Sequence, residues 1–162
     1  MTYTELKTQI ADFLNRSDLT SKLDFFIDAT EGELNRRLRT KEMVKRATAT
    51  ADSQYLSVPT DWLEAINVEI TSGDFTPLLQ QSIESLDVYR KANNNVSGQP
   101  VFFALVDNTM ELAPTPDTSY TLQLTYYGSI TALSSTNTSN FLSTGHPDVY
   151  FCLLYTSPSP RD

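Results

Sequence analysis

The side chains able to do chemistry are few and scattered. His146 is the only histidine, and Pro147 follows it. That pair suits the start of a helix, where proline is tolerated in the first turn. Catalysis or metal ligation would need partner residues at set spacing, and no H-E-x-x-H, C-x-x-C or G-x-S-x-G pattern occurs. Five glycines, none clustered, leave no loop to cradle a phosphate. Asp117 stands alone in "APTPDTS", where an aspartate ordinarily caps or turns the chain. Glu64 and Glu69 lie in or beside a strand and read as a solvated face. The sequons at Asn95 and Asn137 matter only in a secreted chain. No catalytic, cofactor-binding or metal-binding residue is assigned, no cofactor is expected, and the chain does not read as an enzyme.

The strongest charge feature is the basic run Arg36, Arg37, Arg39, Lys41, Lys45 and Arg46. One reading is a solvated helix end whose cations match the helix dipole. The other is a docking surface for an acidic partner, because a guanidinium binds carboxylates through a planar fork. A nucleic-acid groove is the weakest option, since no aromatics interleave with the cations. Trp62, just after "VPTD", is either a rim anchor of an interface or a tryptophan at the edge of the core. The candidate partner interface is therefore Arg36, Arg37, Arg39 and Trp62.

Composition narrows the classes further. The 162 residues carry a net charge of -8 and 40% hydrophobic residues, enough for one core. An acidic balance argues against a free-standing nucleic-acid binder, so no sequence-specific nucleic acid is expected. The opening "MTYTELKTQI" has no apolar signal core. No stretch approaches the roughly 20 apolar residues of a membrane span, so no membrane partner is expected.

The elements that must position these residues follow from periodicity. "TYTELKTQIADFLNRSD" predicts a helix with Leu6, Ile10, Phe13 and Leu14 on one stripe, capped by Thr2 or Thr4 and broken across Asn15–Asp18. "SDLTSKLDFFIDATEGELNRRLRTKEM" predicts a second helix. It places Leu23, Ile27, Leu34 and Leu38 on one side, with Phe26 and Ala29 nearby. Its acids come first, Arg36 to Lys41 fall in its last turns, and Glu33 with Arg37 forms a favourable i,i+4 pair. A short link suggests an antiparallel hairpin packed through Leu6, Ile10, Phe13, Ile27, Leu34 and Leu38. The period then switches to alternation. Two strands flank Asp52-Ser53, and "LEAINVEIT" is a strand with Ile66, Val68 and Ile70 on one face. "SIESLDVYRKA" is a helix capped by Ser82 with Ile83, Leu86 and Tyr89 inward. "VFFALV" is a strand buried on both faces, turned by Asp107-Asn108 into "TMELA". "SYTLQLTYYG" aligns Tyr120, Leu122, Leu124 and Tyr126. "SITALSSTNTSNFLSTG" reads as a polar loop, and His146-Pro147 opens a last helix. The fold class is α+β: an N-terminal helical hairpin, a central mostly antiparallel β region with a short inserted helix, and a truncated C-terminal helix. No repeat or linker divides residues 1–151, which read as a single domain.

Three segments in order resemble the portal adaptors, the head-tail connectors of short-tailed bacteriophages. The first is Phe13-Leu14-Asn15-Arg16 and Asp18 leading into Asn35-Arg36-Arg37-Leu38-Arg39. The second is "YLSVPTDWLEAINVEI", and the third is "NTSNFLSTGHPDVYF". The resemblance implies a structural virion protein at the head-tail junction, assembled in the host cytoplasm. It implies a homo-oligomeric ring, dodecameric in the virion, joining the portal protein to tail proteins. A non-catalytic, β-rich binding or accessory module is the alternative. Such a module explains the strands but has no need of the opening helix pair.

The last stretch, "CLLYTSPSPRD", resembles a sequencing-library transposase adapter translated in one reading frame, and Cys152–Asp162 all match it. Such sequence is set aside from fold reasoning. Removing it takes away one Arg, one Asp and the only Cys, and the charge stays at -8. The natural sequence is expected to break off at Tyr150, with residue 151 uncertain. Leu153, Leu154 and Tyr155 are apolar enough to prolong the helix.

Overall fold

The computed structural model describes residues 1–14, 22–73 and 75–156. Among them the helices are α1 (Tyr3–Leu14), α2 (Leu23–Arg37), α3 (Ile83–Ala92), α4 (Phe141–Gly145) and α5 (Asp148–Thr156). The strands are β1 (Val44–Ala51), β2 (Tyr55–Ser57), β3 (Trp62–Ile70), β4 (Thr76–Pro77), β5 (Leu79–Gln80), β6 (Phe102–Val106), β7 (Thr109–Ala113) and β8 (Tyr120–Gly128). The class is α+β. The chain forms two compact units, one from Met1–Glu42 with Ile130–Asp162 and the other from Met43–Ser129.

The first unit is helical. Thr2 caps α1 reciprocally: its hydroxyl accepts from the Glu5 amide, and the Glu5 carboxylate accepts from the Thr2 amide. Leu6 and Ile10 are buried as the stripe demands. Phe13 departs from it. It is 65% exposed and meets the ring of Phe151 edge-on, at 5.9 Å between centroids. On α2, Leu23, Ile27 and Leu34 are buried, and Thr30 and Glu31 share their face. The Tyr3 hydroxyl and Lys7 Nζ both donate to Asp24, at 2.7 and 2.9 Å, so the first two turns of α1 meet the first turn of α2. The predicted break at Asn15–Asp18 lies outside the described residues.

α2 ends sooner than its charge pattern suggests. Leu38 is already extended, with ψ at 134°, although its amide still reaches the Leu34 carbonyl. Arg39 and Lys41 therefore lie beyond the helix. The segment after β8 is also more than a polar loop. Ile130, Leu133 and Leu142 are buried, and Asn140 with Ser143 forms a capping box that starts α4. Those apolar residues are too widely spaced to show a period, so only the cap signals the short helix. His146 follows α4, Pro147 precedes α5, and α5 carries a fully buried Tyr150 and runs on to Thr156, beyond the expected break.

The second unit packs two four-stranded sheets, ordered β1-β8-β3-β4 and β2-β7-β6-β5. Every pairing is antiparallel except β5 with β6. One core takes Val68, Ile70, Leu122 and Leu124 from the first sheet and Phe103, Met110 and Leu112 from the second. β8 alternates as read, with Tyr120, Leu122, Leu124 and Tyr126 toward that core. β6 is covered on both faces: Phe103 enters the core, while Ala104 packs with Leu86 under α3. Asp107, at φ 53°, makes the tight turn of the β6–β7 hairpin.

Two details differ from the alternation. β3 carries bulges between Trp62 and Glu64 and between Ala65 and Asn67. Each inserts one residue and flips the side-chain phase beyond it. Ile66 is therefore 46% exposed, although it has the parity of buried Val68 and Ile70. On α3, Ser82 is the N-cap, but Ile83 is exposed. The inward stripe is Leu86, Tyr89 and Arg90, the last in an ion pair with Glu111.

Candidate functional site

The arginines at the end of α2 divide by what they touch. Glu33 is forked between two of them: Arg36 donates to Oε2, and Arg37 Nε lies 2.5 Å from Oε1. The Arg36 contact, aided by the charge of Arg37, holds the Glu33 carboxyl below its ordinary range. The arginine side chains stay 69% and 80% exposed, so most of each guanidinium edge faces solvent. Arg39 does different work. Its Nη1 donates to the carbonyls of Asn35 and Leu38 at 2.9 and 2.7 Å, satisfying acceptors that a helix end leaves open. The Asn35 amide oxygen in turn accepts from the Ile130 amide at 2.8 Å. Arg36 and Arg37 thus present charge outward, and Arg39 closes the helix.

Lys45 and Arg46, later in the basic run, belong to the second unit. Lys45 projects inward from β1 and bonds Asp61 at 2.6 Å in the second unit. Arg46, one residue on, faces out. Asp61 also accepts from the Tyr126 hydroxyl at 3.0 Å. Burial pushes the Asp61 carboxyl up, but the bonds from Lys45 and Tyr126 outweigh it and leave it below the usual range. Burial and the same bond push Tyr126 up to about 12. Trp62 stacks on Tyr126 and packs against the core, with its indole nitrogen sheltered and unpartnered. Its place is the edge of the core.

Two polar centres escaped the sequence. One is Arg90, whose guanidinium bonds Glu111 at 2.5 Å and the Leu112 carbonyl at 2.7 Å, while Gln54 donates to the same carboxylate. The other is Glu31, which is 3% exposed. Its carboxylate accepts from the Leu133 amide, the Asn140 side chain at 3.0 Å and the Tyr150 hydroxyl at 2.8 Å. The signal for Glu31 was present: it falls four residues after Ile27, on the apolar stripe.

In the second unit Asp117 accepts from the Tyr120 hydroxyl and Glu69 from the Asn67 and Gln123 side chains, and in the first His146 follows α4. No group of three or more histidine, cysteine, aspartate or glutamate residues able to hold a metal occurs among the described residues. No described helix is long and apolar enough to cross a membrane.

What the geometry offers is outward-facing guanidinium groups at a helix end and, in the second unit, a two-sheet β core. The model of the SU10 adaptor protein family matches residues 1–155, and the chain belongs to that family. It is a phage adaptor, a structural component of the virion. No curated protein matches the chain.

Proposed function

We propose that this adaptor assembles into a ring, dodecameric in the virion, that joins the portal protein to the tail proteins and catalyses no reaction. The family match across residues 1–155 carries the reading. The outward Arg36 and Arg37 support it, because paired guanidinium groups suit carboxylates on a protein partner. A ring repeats each contact around its circumference, so individually weak contacts accumulate. The negative charge of the chain suits a wall past which DNA must slide rather than stick. Assembly would take place in the host cytoplasm. On this reading residues 1–151 act as one adaptor domain, and residues 152–162 are appended sequence without a role.

The test is reconstitution. Purified portal rings are mixed with the chain and resolved by sedimentation velocity, with subunit stoichiometry read from native mass spectrometry. Twelve-fold occupancy of the portal supports the proposal. A chain that stays monomeric and unbound at micromolar concentration overturns it.

A further inference from the structure

Glu31 is a buried acid with an unusual set of neighbours. Each group that the described residues bring to its carboxylate is a neutral donor: a backbone amide, a carboxamide and a phenol. Buried carboxylates ordinarily sit beside a cation, because removing an ionised group from water is costly. The charged neighbour here is Asp28, one turn earlier on α2, and it repels. Tyr3 on α1 and Tyr150 on α5 are both pushed up by burial and remain protonated donors. The 130–140 segment and α4 add no charge.

The donors come from the whole C-terminal part of the helical unit. Leu133 stands in the segment after β8, Asn140 caps α4, and Tyr150 is the buried residue of α5. Asn140 is used several times over. Its Nδ2 lies within hydrogen-bond distance of Glu31, of the Thr131 carbonyl and of the Tyr150 hydroxyl, and its Oδ1 accepts from the Ser143 amide. One carboxylate therefore fixes where α4 and α5 lie on α2.

The contacts on its two oxygens are unequal. Oε1 receives Tyr150, Asn140 and a 3.3 Å approach from Leu133, whereas Oε2 receives Leu133 alone at 3.1 Å. A proton on Oε2 leaves the Tyr150 and Asn140 bonds in place, weakens the Leu133 contact to that oxygen, and removes the buried charge. We propose that Glu31 is a proton-dependent lock on the C-terminal segment, which tightens α5 onto α2 when the carboxyl is protonated and loosens it when the carboxyl ionises.

Linkage gives the sign. Burial raises the Glu31 carboxyl above its ordinary value of 4.5. When the segment lifts, the carboxyl returns to water and to that ordinary value. Docking then takes up a proton. Its full strength is present below the ordinary value and is lost as pH rises through the raised one. Within that window the docking equilibrium changes by up to about tenfold per pH unit, the limit for one linked proton. The lock belongs to the helical unit and operates whether or not a portal is the partner.

Amide hydrogen exchange on the full chain tests it, from below the ordinary carboxyl value up to about pH 8 and corrected for intrinsic rates. His146, exposed where α4 gives way to α5, is replaced by Asn in every sample as a control. Protection of the α5 amides is expected to rise as pH falls, while β8 amides serve as an unchanging reference. Glu31→Gln is expected to flatten the dependence. Tyr150→Phe keeps the carboxylate but removes one donor that favours its charged form, so it moves the window to higher pH. Protection that is flat or falls on acidification overturns the lock, as does an unaltered slope in Glu31→Gln. If Glu31→Gln does not fold, Tyr150→Phe decides alone, and an unmoved window overturns the lock.

Discussion

Trp62 lies flat on Tyr126, ring centroids 4.7 Å apart and planes 15° from parallel, at the start of a strand whose first residues are bulged. The bulge gives β3 the freedom to turn the indole onto its neighbour on β8. Stacking also places the Tyr126 hydroxyl on Asp61. Trp62→Ala should destabilise the β unit by about 2–3 kcal/mol, somewhat below the loss for a wholly buried aromatic. Tyr126→Phe should cost about 1–2 kcal/mol, since it removes a bond to a charged acceptor. Denaturant melts followed by circular dichroism measure both. An effect near zero for Trp62→Ala would favour a partner contact over a core role for the indole.

Asp61 also sets an acid limit on the same unit. Burial raises its carboxyl, the bonds from Lys45 and Tyr126 outweigh that effect, and it ends below its ordinary 3.8. A depressed carboxyl contributes stability that is present above the unfolded value and lost as pH falls through the folded one. The contribution should begin to fall below about pH 4, the ordinary aspartate range, and vanish only once pH has passed below the depressed folded value. Asp61→Asn should therefore melt lower than the parent at neutral pH, and the two curves should converge in acid. Gly128 is part of the arrangement, because a Cβ there would lie 2.6 Å from Lys45 Cδ and 2.9 Å from the Asp61 carboxylate. Gly128→Ala should displace the pair and reproduce part of the Asp61→Asn loss. Curves that stay parallel down to acid would assign the stability to other groups.

Arg90 joins α3 to β7 through a nearly enclosed ion pair, with side chains 11% and 10% exposed. Removing one partner leaves the other charge buried, which costs about 3–5 kcal/mol. Arg90→Ala should pay that penalty, and adding Glu111→Gln should recover a good part of it. The double-mutant cycle separates the pair from the loss of packing under α3. Strict additivity would mean that Gln54 and water satisfy Glu111 without Arg90.

Ile27 is fully buried on α2 between Leu23 and Glu31. Ile27→Asp places an unpaired charge among apolar side chains, a cost of several kcal/mol, comparable to the whole stability of a domain. Loss of cooperative melting and of helical circular dichroism is the expected outcome. A soluble, cooperatively melting variant would show that this face is not core.

Periodicity carried the reading of the fold wherever one face was buried and the phase was unbroken. β8 and the apolar faces of α1 and α2 were legible because their spacing alone reveals the side that avoids water. Ile66 misled because a bulge shifts phase without any mark in the sequence, and Phe13 because an apolar residue at a helix's end can continue the stripe and still find no cover. β4 and β5 are two residues each, too short for any period, and Pro77 sits on an edge strand where its missing N–H does no harm. The candidate interface was legible only as a cluster of charge. That Arg39 turns back onto helix carbonyls, and that Lys45 turns in to Asp61, depends on chain reversals that composition does not record.

This division of labour decides how the proposed portal contact should be tested. Replacing Arg36, Arg37 and Arg39 together would mix two effects, since Arg39 holds carbonyls at the end of α2. The informative variant is Arg36→Glu with Arg37→Glu. Both side chains are mostly exposed, and their shared partner Glu33 is also at the surface, so pairing there contributes little to stability. Reversal does place three acidic residues within two turns near the helix's C-terminal, negative end, which predicts a small loss of helicity. Circular dichroism and the melting temperature should otherwise hold. Portal association should be lost, because every repeated contact in the ring then meets like charge, and the deficit multiplies around the circumference. The same variant with Glu33→Lys added restores a local ion pair but not the outward charge pattern, so it should recover helicity without recovering binding. If the Arg36→Glu, Arg37→Glu chain joins the portal normally, the arginines are a solvated helix end and the docking surface lies elsewhere. If the triple variant recovers binding along with helicity, the arginines act by holding the helix in shape rather than by touching the partner.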